Sequence, residues 1–279
     1  MEKQLEELSY LYHYTSIETL ALILKNKTIR FSSLSRVDDI EEQKTKDYGD
    51  LGRFCFVSCW TNDAEESIPL WNLYTPNMTG VRIRLPINPF KTIKINPDGR
   101  HIKGEYVTHP SLTIEKLSLY GCLLNPPYLA NLYQVQYTDD PEKLNRQVLT
   151  EIKPETKLEN GVRKTTWEKN INLKDIGIYK NKHWTFQKEY RYKLFVVPWT
   201  MSDLESAKSY EEQARLIDRL ETEKLKTDFF DLELDENTMS DMEILIGPKA
   251  NHAQKQIIQS LVNDLSPYAI IVESNVGIR

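Results

Sequence analysis

The amino-acid sequence predicts an α+β fold: a central sheet of antiparallel and mixed strands with helices on its outside. Three stretches carry that prediction. The run Tyr190-Arg-Tyr-Lys-Leu-Phe-Val-Val197 is aromatic and β-branched, the composition that strands favour. Residues 8–33 read as strand, helix and strand, and residues 242–273 repeat that order near the C-terminus. The late strand organises the rest, because its side chains alternate between two faces. Tyr190, Tyr192, Leu194 and Val196 share an apolar face, while Gln187, Glu189, Arg191 and Lys193 share a polar one. On a half-buried strand such a polar face is ordinarily solvated.

In chain order, Leu8–Thr15 reads as a strand with Tyr10, Tyr12 and Tyr14 on one side and Leu11 and His13 on the other. Thr15-Ser-Ile-Glu18 matches a capping box with Thr15 as N-cap, followed by Ile17, Leu20, Ile23 and Leu24 at helical spacing. Thr28–Ser33 is a second strand. His13 therefore sits at a strand end beside a helix N-terminus, a place that favours anions such as phosphate. A plain structural role is the alternative for a lone histidine there. Ser35–Asp50 mixes charges of both signs and reads as an exposed, solvated helix or loop. Arg53–Thr61 is a third strand. Cys55 and Cys59 on it lie roughly 13 Å apart at ~3.3 Å per residue. Two thiolates of one zinc site must be much closer, so no metal is expected.

Residues 63–75 read as a short helix on which Trp71 and Tyr74, three apart, face the same way. They are core, or they wall a pocket for a flat ring. Gly80–Leu85 alternates as a strand that Pro86 ends, and the proline-rich residues 86–130 are left without elements. Asn131–Tyr137 is strand-like, 141–152 and 167–182 read as helices, and 153–162 as a polar link. After Pro198, Ser202-Asp-Leu-Glu205 matches a capping box that opens a charged peripheral helix over 202–226. The closing unit is a strand at 242–246, a helix at 251–265 and a strand at 268–272. Its Gly247-Pro248 turn lacks the glycines and lysine of a P-loop, so packing is its expected role. The whole of 1–279 reads as one domain.

The bulk numbers exclude several classes. At 279 residues, with 40% hydrophobic and 28% charged residues, the chain can build a core without disulfide staples. A net charge of −5 supplies no global basic field for a nucleic-acid backbone. Three cysteines cannot complete a disulfide framework, the N-terminal residues lack a signal peptide's pattern, and no run is long enough to span a membrane. A reduced, cytoplasmic protein with no membrane partner is expected.

Taken together, Leu11-Tyr-His-Tyr-Thr15, Leu70-Trp-Asn-Leu-Tyr74, Gly80-Val-Arg-Ile83, Gln187-Lys-Glu-Tyr-Arg191 and Gly247-Pro248 resemble the motifs of a large uncharacterised bacterial family, a domain of unknown function. That layout in turn resembles the ADP-ribosyltransferase superfamily, and the DarT-type DNA-modifying enzymes within it. The resemblance implies a split, strongly bent sheet and an NAD-consuming ADP-ribosyltransferase, with NAD as substrate and no metal. It implies His13 on the NAD ribose, Glu189 as catalytic carboxylate, and Gln187, with Arg191, on the acceptor side. The middle position falls on Ser58 or Tyr74, and Tyr14 and Thr15 complete the first motif. A protein or nucleic-acid acceptor, an antidote partner and a role as toxin or phage-defence effector belong to the same expectation. An NAD glycohydrolase and an inactive nucleotide-binding or interaction module are the alternatives.

The chemistry suits these residue types independently. Breaking the nicotinamide–ribose bond develops an oxocarbenium-like cation, which a carboxylate at the adjacent hydroxyl stabilises most in the transition state. An imidazole can hydrogen-bond ribose hydroxyls. Arg30 or Arg191 suits a pyrophosphate, since guanidinium binds phosphate bidentately. Trp71 and Tyr74 suit a sandwiched nicotinamide ring.

Overall fold

The computed structural model describes residues 8–96, 104–159 and 162–278. The N-terminal residues 1–7, Pro97 and the tip of the expected 153–162 link lie outside the described residues. Ten strands form the central sheet. They are β1 (Tyr10–Thr15), β2 (Thr28–Ser33), β3 (Cys55–Thr61), β4 (Val81–Pro86), β5 (Leu123–Leu124), β6 (Asn131–Gln134), β7 (Glu189–Val197), β8 (Phe229–Glu233), β9 (Glu243–Ile246) and β10 (Ile270–Glu273). The main path runs β6-β7-β3-β1-β4-β9-β10, with β2 paired to both β3 and β8, and β5 to β7. The β9–β10 pairing is parallel and the others are antiparallel, so the sheet is mixed as expected. A parallel pair needs a crossover, and the helix His252–Leu265 supplies it.

One edge of β3 is shared by two strands, which forks the sheet. β1 meets β3 only at Tyr12↔Thr61, while β2 takes up the same edge at Ser32↔Val57 and Ser33↔Phe56. Between those contacts, Ser58–Trp60 has no paired strand residue on that side among the described residues. Helix α1 (Ile17–Asn26) joins the two diverging strands, burying Leu20, Ile23 and Leu24. Its N-cap is Ser16, which accepts from Thr19 N, and not Thr15, which stays in β1. Thr15 is held at the far end of β1 by Gly80, where an added Cβ would meet Thr15 O at 2.2 Å.

The alternation of β7 holds, yet neither face is solvated. All nine of its residues are buried. Tyr190, Tyr192, Leu194 and Val196 join one large core with Phe31, Phe56 and Trp60. Phe195 and Val197 enter a second core on the opposite side, with Leu34, Phe54 and Leu173. The polar residues of that second face are therefore interior charges.

Four local expectations are corrected. The peripheral helix at 202–226 is two helices, Met201–Ser206 and Tyr210–Thr222, because Thr200 and Ser209 each cap with a full capping box and Ser202 does not. The helix expected at 141–152 stops at Leu144, and Leu149–Glu159 instead pairs with Val162–Ile171 as a long hairpin. No helix fills 167–182; Tyr179–Asn181 runs parallel to Gln136–Thr138 after a left-handed Gly177. The charged stretch 35–50 is partly interior, with Asp39 and Glu42 buried. Tertiary pairing overrides local propensity at each of these places. No helix among the described residues is long and apolar enough to cross a membrane.

Candidate active site

A cleft of about 70 Å³ opens where the sheet forks, and His13, Tyr14, Trp60, Tyr74, Gln187 and Glu189 are among its lining residues. Four separated parts of the chain meet there: β1, the end of β3, helix α2 (Ile68–Tyr74) and the start of β7 with the turn before it.

The fork explains His13. With β1 peeled away, His13 Nδ1 bonds to Cys59 O at 2.8 Å. A carbonyl only accepts, so Nδ1 carries the proton and Nε2 is left as an acceptor. The ring packs on Trp60 with centroids 5.1 Å apart. Burial pushes the imidazole below its usual value, outweighing the upward pull of the Cys59 carbonyl. His13 is therefore a neutral base at pH 7.

Tyr14 lines the cleft from behind, accepting from Ser67 N at 3.0 Å and packing edge-on against Trp71. Trp71 does not reach the cleft. It is fully buried and gives its indole N–H to Glu66 Oε2 at 3.0 Å, so its expected nicotinamide contact is corrected to a core role. Trp60, which the sequence reading passed over, stands in the cleft wall instead. Ser58 accepts from the Trp60 indole at 2.9 Å and is buried outside the cleft lining. Of the two middle candidates, only Tyr74 lines the cleft. Burial first, then the charges of Asp38 and Glu189, push the Tyr74 phenol far up, which keeps it protonated.

Gln187 is not on the strand. It ends a 3₁₀ turn at Lys182–Gln187, and Lys188 turns the chain through φ 44° before β7 begins. That turn seats the Gln187 side chain in the interior at 3% exposure, where Nε2 donates to the Tyr74 phenol oxygen at 2.6 Å. Its Oε1 is buried and has no partner among the described residues.

Glu189 belongs to a buried quartet of charges. Arg191 donates to it from Nε at 2.5 Å and Nη2 at 3.1 Å, and Lys180 Nζ donates at 3.1 Å. Both cations also hold Glu42, at 3.0 Å from Arg191 Nη2 and 3.2 Å from Lys180 Nζ. Two carboxylates and two cations cancel, which is how buried charge is tolerated. Burial acts to raise the Glu189 pKa, but Arg191 and Lys180 overcome it and hold the carboxyl down to about 2. Glu189 is ionised, and it alone of the quartet lines the cleft. Arg191 lies behind it, fully consumed by Glu42, Glu189 and Gly177 O. Arg30 is remote: it forks onto Asp231 at 2.9 and 3.0 Å and stacks on Phe229, across the β2–β8 pair. Neither arginine is free for a pyrophosphate, which corrects both assignments. Glu42 and Lys180 went unread because mixed charge in a connecting stretch signals solvent more often than core.

The fold and cleft thus define a mixed-sheet α+β protein with a small pocket at a sheet fork. A family model described as "Protein of unknown function (DUF2971)" matches residues 70–192, and a DUF2971 domain of unknown function is found there. The match takes in Tyr74, Gln187, Glu189 and Arg191 and begins beyond His13. No curated protein and no solved structure matches the chain.

Proposed function

We propose that this cleft cleaves NAD, and that the protein is an ADP-ribosyltransferase which releases nicotinamide and passes ADP-ribose to a macromolecular acceptor. The observation that carries the reading is the convergence of His13, Tyr74, Gln187 and Glu189 on one cleft from distant parts of the chain. In the reaction the bond between the ribose C1′ and the pyridinium nitrogen breaks, and its electron pair leaves with nicotinamide. A lone pair of the acceptor forms the new bond to C1′, and the acceptor's proton passes to solvent. Ionised Glu189 supplies negative charge to the oxocarbenium-like centre. Neutral His13 accepts a ribose hydroxyl at Nε2, and Trp60 with Tyr74 flanks the nicotinamide ring. At about 70 Å³ the cleft suits the ring end of NAD, since pockets for whole ligands are roughly 300–1,000 Å³. The adenosine end would lie outside it.

One observation favours the glycohydrolase as second reading. Gln187, expected to meet an acceptor, is instead interior and held by Tyr74, so it is not presented to a macromolecule. With water as the nucleophile the same cleft would yield free ADP-ribose. Incubation with NAD, with nicotinamide and free ADP-ribose both quantified, tests the two together. Equal yields mark water as acceptor, a shortfall of free ADP-ribose marks transfer, and no nicotinamide with no NAD binding rejects both.

A further inference from the structure

The unused acceptor in the cleft points to what it recognises. Gln187 is a cleft-lining residue with a buried Oε1 that bonds to nothing among the described residues. A buried acceptor left unpaired bears its full desolvation penalty, so a folded protein rarely keeps one without a use. The amide's orientation follows from its neighbour. Its Nε2 donates to the Tyr74 phenol oxygen at 2.6 Å. Oε1 is thereby the atom left over. The second group is His13, whose Nδ1–H is spent on Cys59 O and whose Nε2 is an acceptor with no bond among the described residues. Glu189 adds negative charge and no donor. These three groups of the cleft wall all accept, so a ligand group that meets them must bring the protons.

We infer that the cleft selects a primary carboxamide on a flat ring, with Gln187 Oε1 accepting from the amide NH₂. The inference rests on the NAD-cleaving reading for the identity of that amide, which would be nicotinamide's own. It reassigns Gln187 from the acceptor side to a specificity-determining position for the leaving group. The corresponding carboxylic acid, ionised at neutral pH, offers no donor and sets a second negative charge beside Glu189. Sites built to bond a polar substrate group reject analogues lacking it far more strongly than apolar pockets reject a missing methylene.

Calorimetric titration of the full chain with NAD and with its nicotinic acid counterpart tests this. The amide is expected to bind on the order of tenfold or more tightly than the acid. In Gln187→Leu, checked by thermal melting for folding, that preference should shrink severalfold, to the part that the Glu189 charge alone supplies. Equal or tighter binding of the acid by the wild-type protein overturns the inference, without recourse to any variant. A preference undiminished in folded Gln187→Leu overturns the assignment to Gln187. Benzamide and benzoate separate this failure from that of the NAD reading. If neither dinucleotide binds but benzamide does and benzoate does not, the carboxamide site stands and the NAD reading falls. If no probe binds, both fall.

Discussion

Arg191 Nη2 donates to Glu42 Oε1 at 3.0 Å, joining residues 149 positions apart in the interior. The same guanidinium holds Glu189, so one side chain fixes the cleft's carboxylate and ties the 35–50 stretch to β7. Removing one partner of a buried pair leaves the other charge uncompensated, a loss of about 3–5 kcal/mol. Arg191→Met is expected to destabilise by that amount in urea unfolding, with Glu42→Gln moving in the same direction. A change below about 1 kcal/mol in both would contradict the buried quartet.

Glu189 gives the protein an acid limit with a defined sign. Its carboxyl titrates at about 2 when folded, against a reference of 4.5. A depressed carboxyl pKa contributes stability that is complete above 4.5 and lost as the pH falls toward 2. Thermal melts of the wild-type protein should fall steeply across that window. Folded Glu189→Gln, lacking the titration, should show a shallower slope there.

His13 should behave oppositely to a paired imidazolium. Its folded pKa lies below 6.5, so below that pH the unfolded chain gains a proton that the folded one refuses. Its contribution is complete above 6.5 and declines as the pH drops. Nicotinamide release should accordingly stay level from pH 8 down to 6.5, with no step at the ordinary histidine value. Ring-proton NMR of His13 reads the same property directly, and a midpoint above 6.5 would contradict it.

Trp71 and Arg30 separate core from cleft. Trp71→Ala is expected to cost about 3–5 kcal/mol, because a fully buried aromatic is lost and Glu66 loses its indole partner. Arg30→Ala removes a half-exposed surface pair and should cost at most about 1 kcal/mol. It should leave NAD binding unchanged, as calorimetry on that variant would read.

Much of this arrangement was legible in the sequence, and the residues show why the remainder was not. The period-two pattern from Tyr190 separates the apolar face of β7 from the Glu189–Arg191–Lys193 face, and the tyrosine-rich opening places His13 at a strand end. Both are local signals; the separation of faces holds, whereas His13 lies inside β1, two positions before its last residue. The destination of the polar face was hidden, because its countercharges come from Glu42 and Lys180, in connecting stretches whose mixed charges look solvated. The turn at Lys188 was equally silent: a left-handed lysine has no sequence signature, yet it removes Gln187 from the strand and seats it against Tyr74. Trp71 is core and not cleft for a similar reason. Helical spacing shows which aromatics share a face but not whether that face meets the core or a cleft.

The most direct test of the NAD-cleaving cleft is nicotinamide release from NAD by the wild-type protein beside Glu189→Gln and His13→Gln, each verified as folded by thermal melting. The account predicts release by the wild type and its loss, by about a hundredfold or more, in Glu189→Gln, as for removal of a group that stabilises transition-state charge. It predicts a smaller loss in His13→Gln, whose amide can still accept a ribose hydroxyl. Undiminished release from folded Glu189→Gln would contradict the role given to that carboxylate. A wild-type protein that neither binds NAD nor releases nicotinamide would contradict the account as a whole.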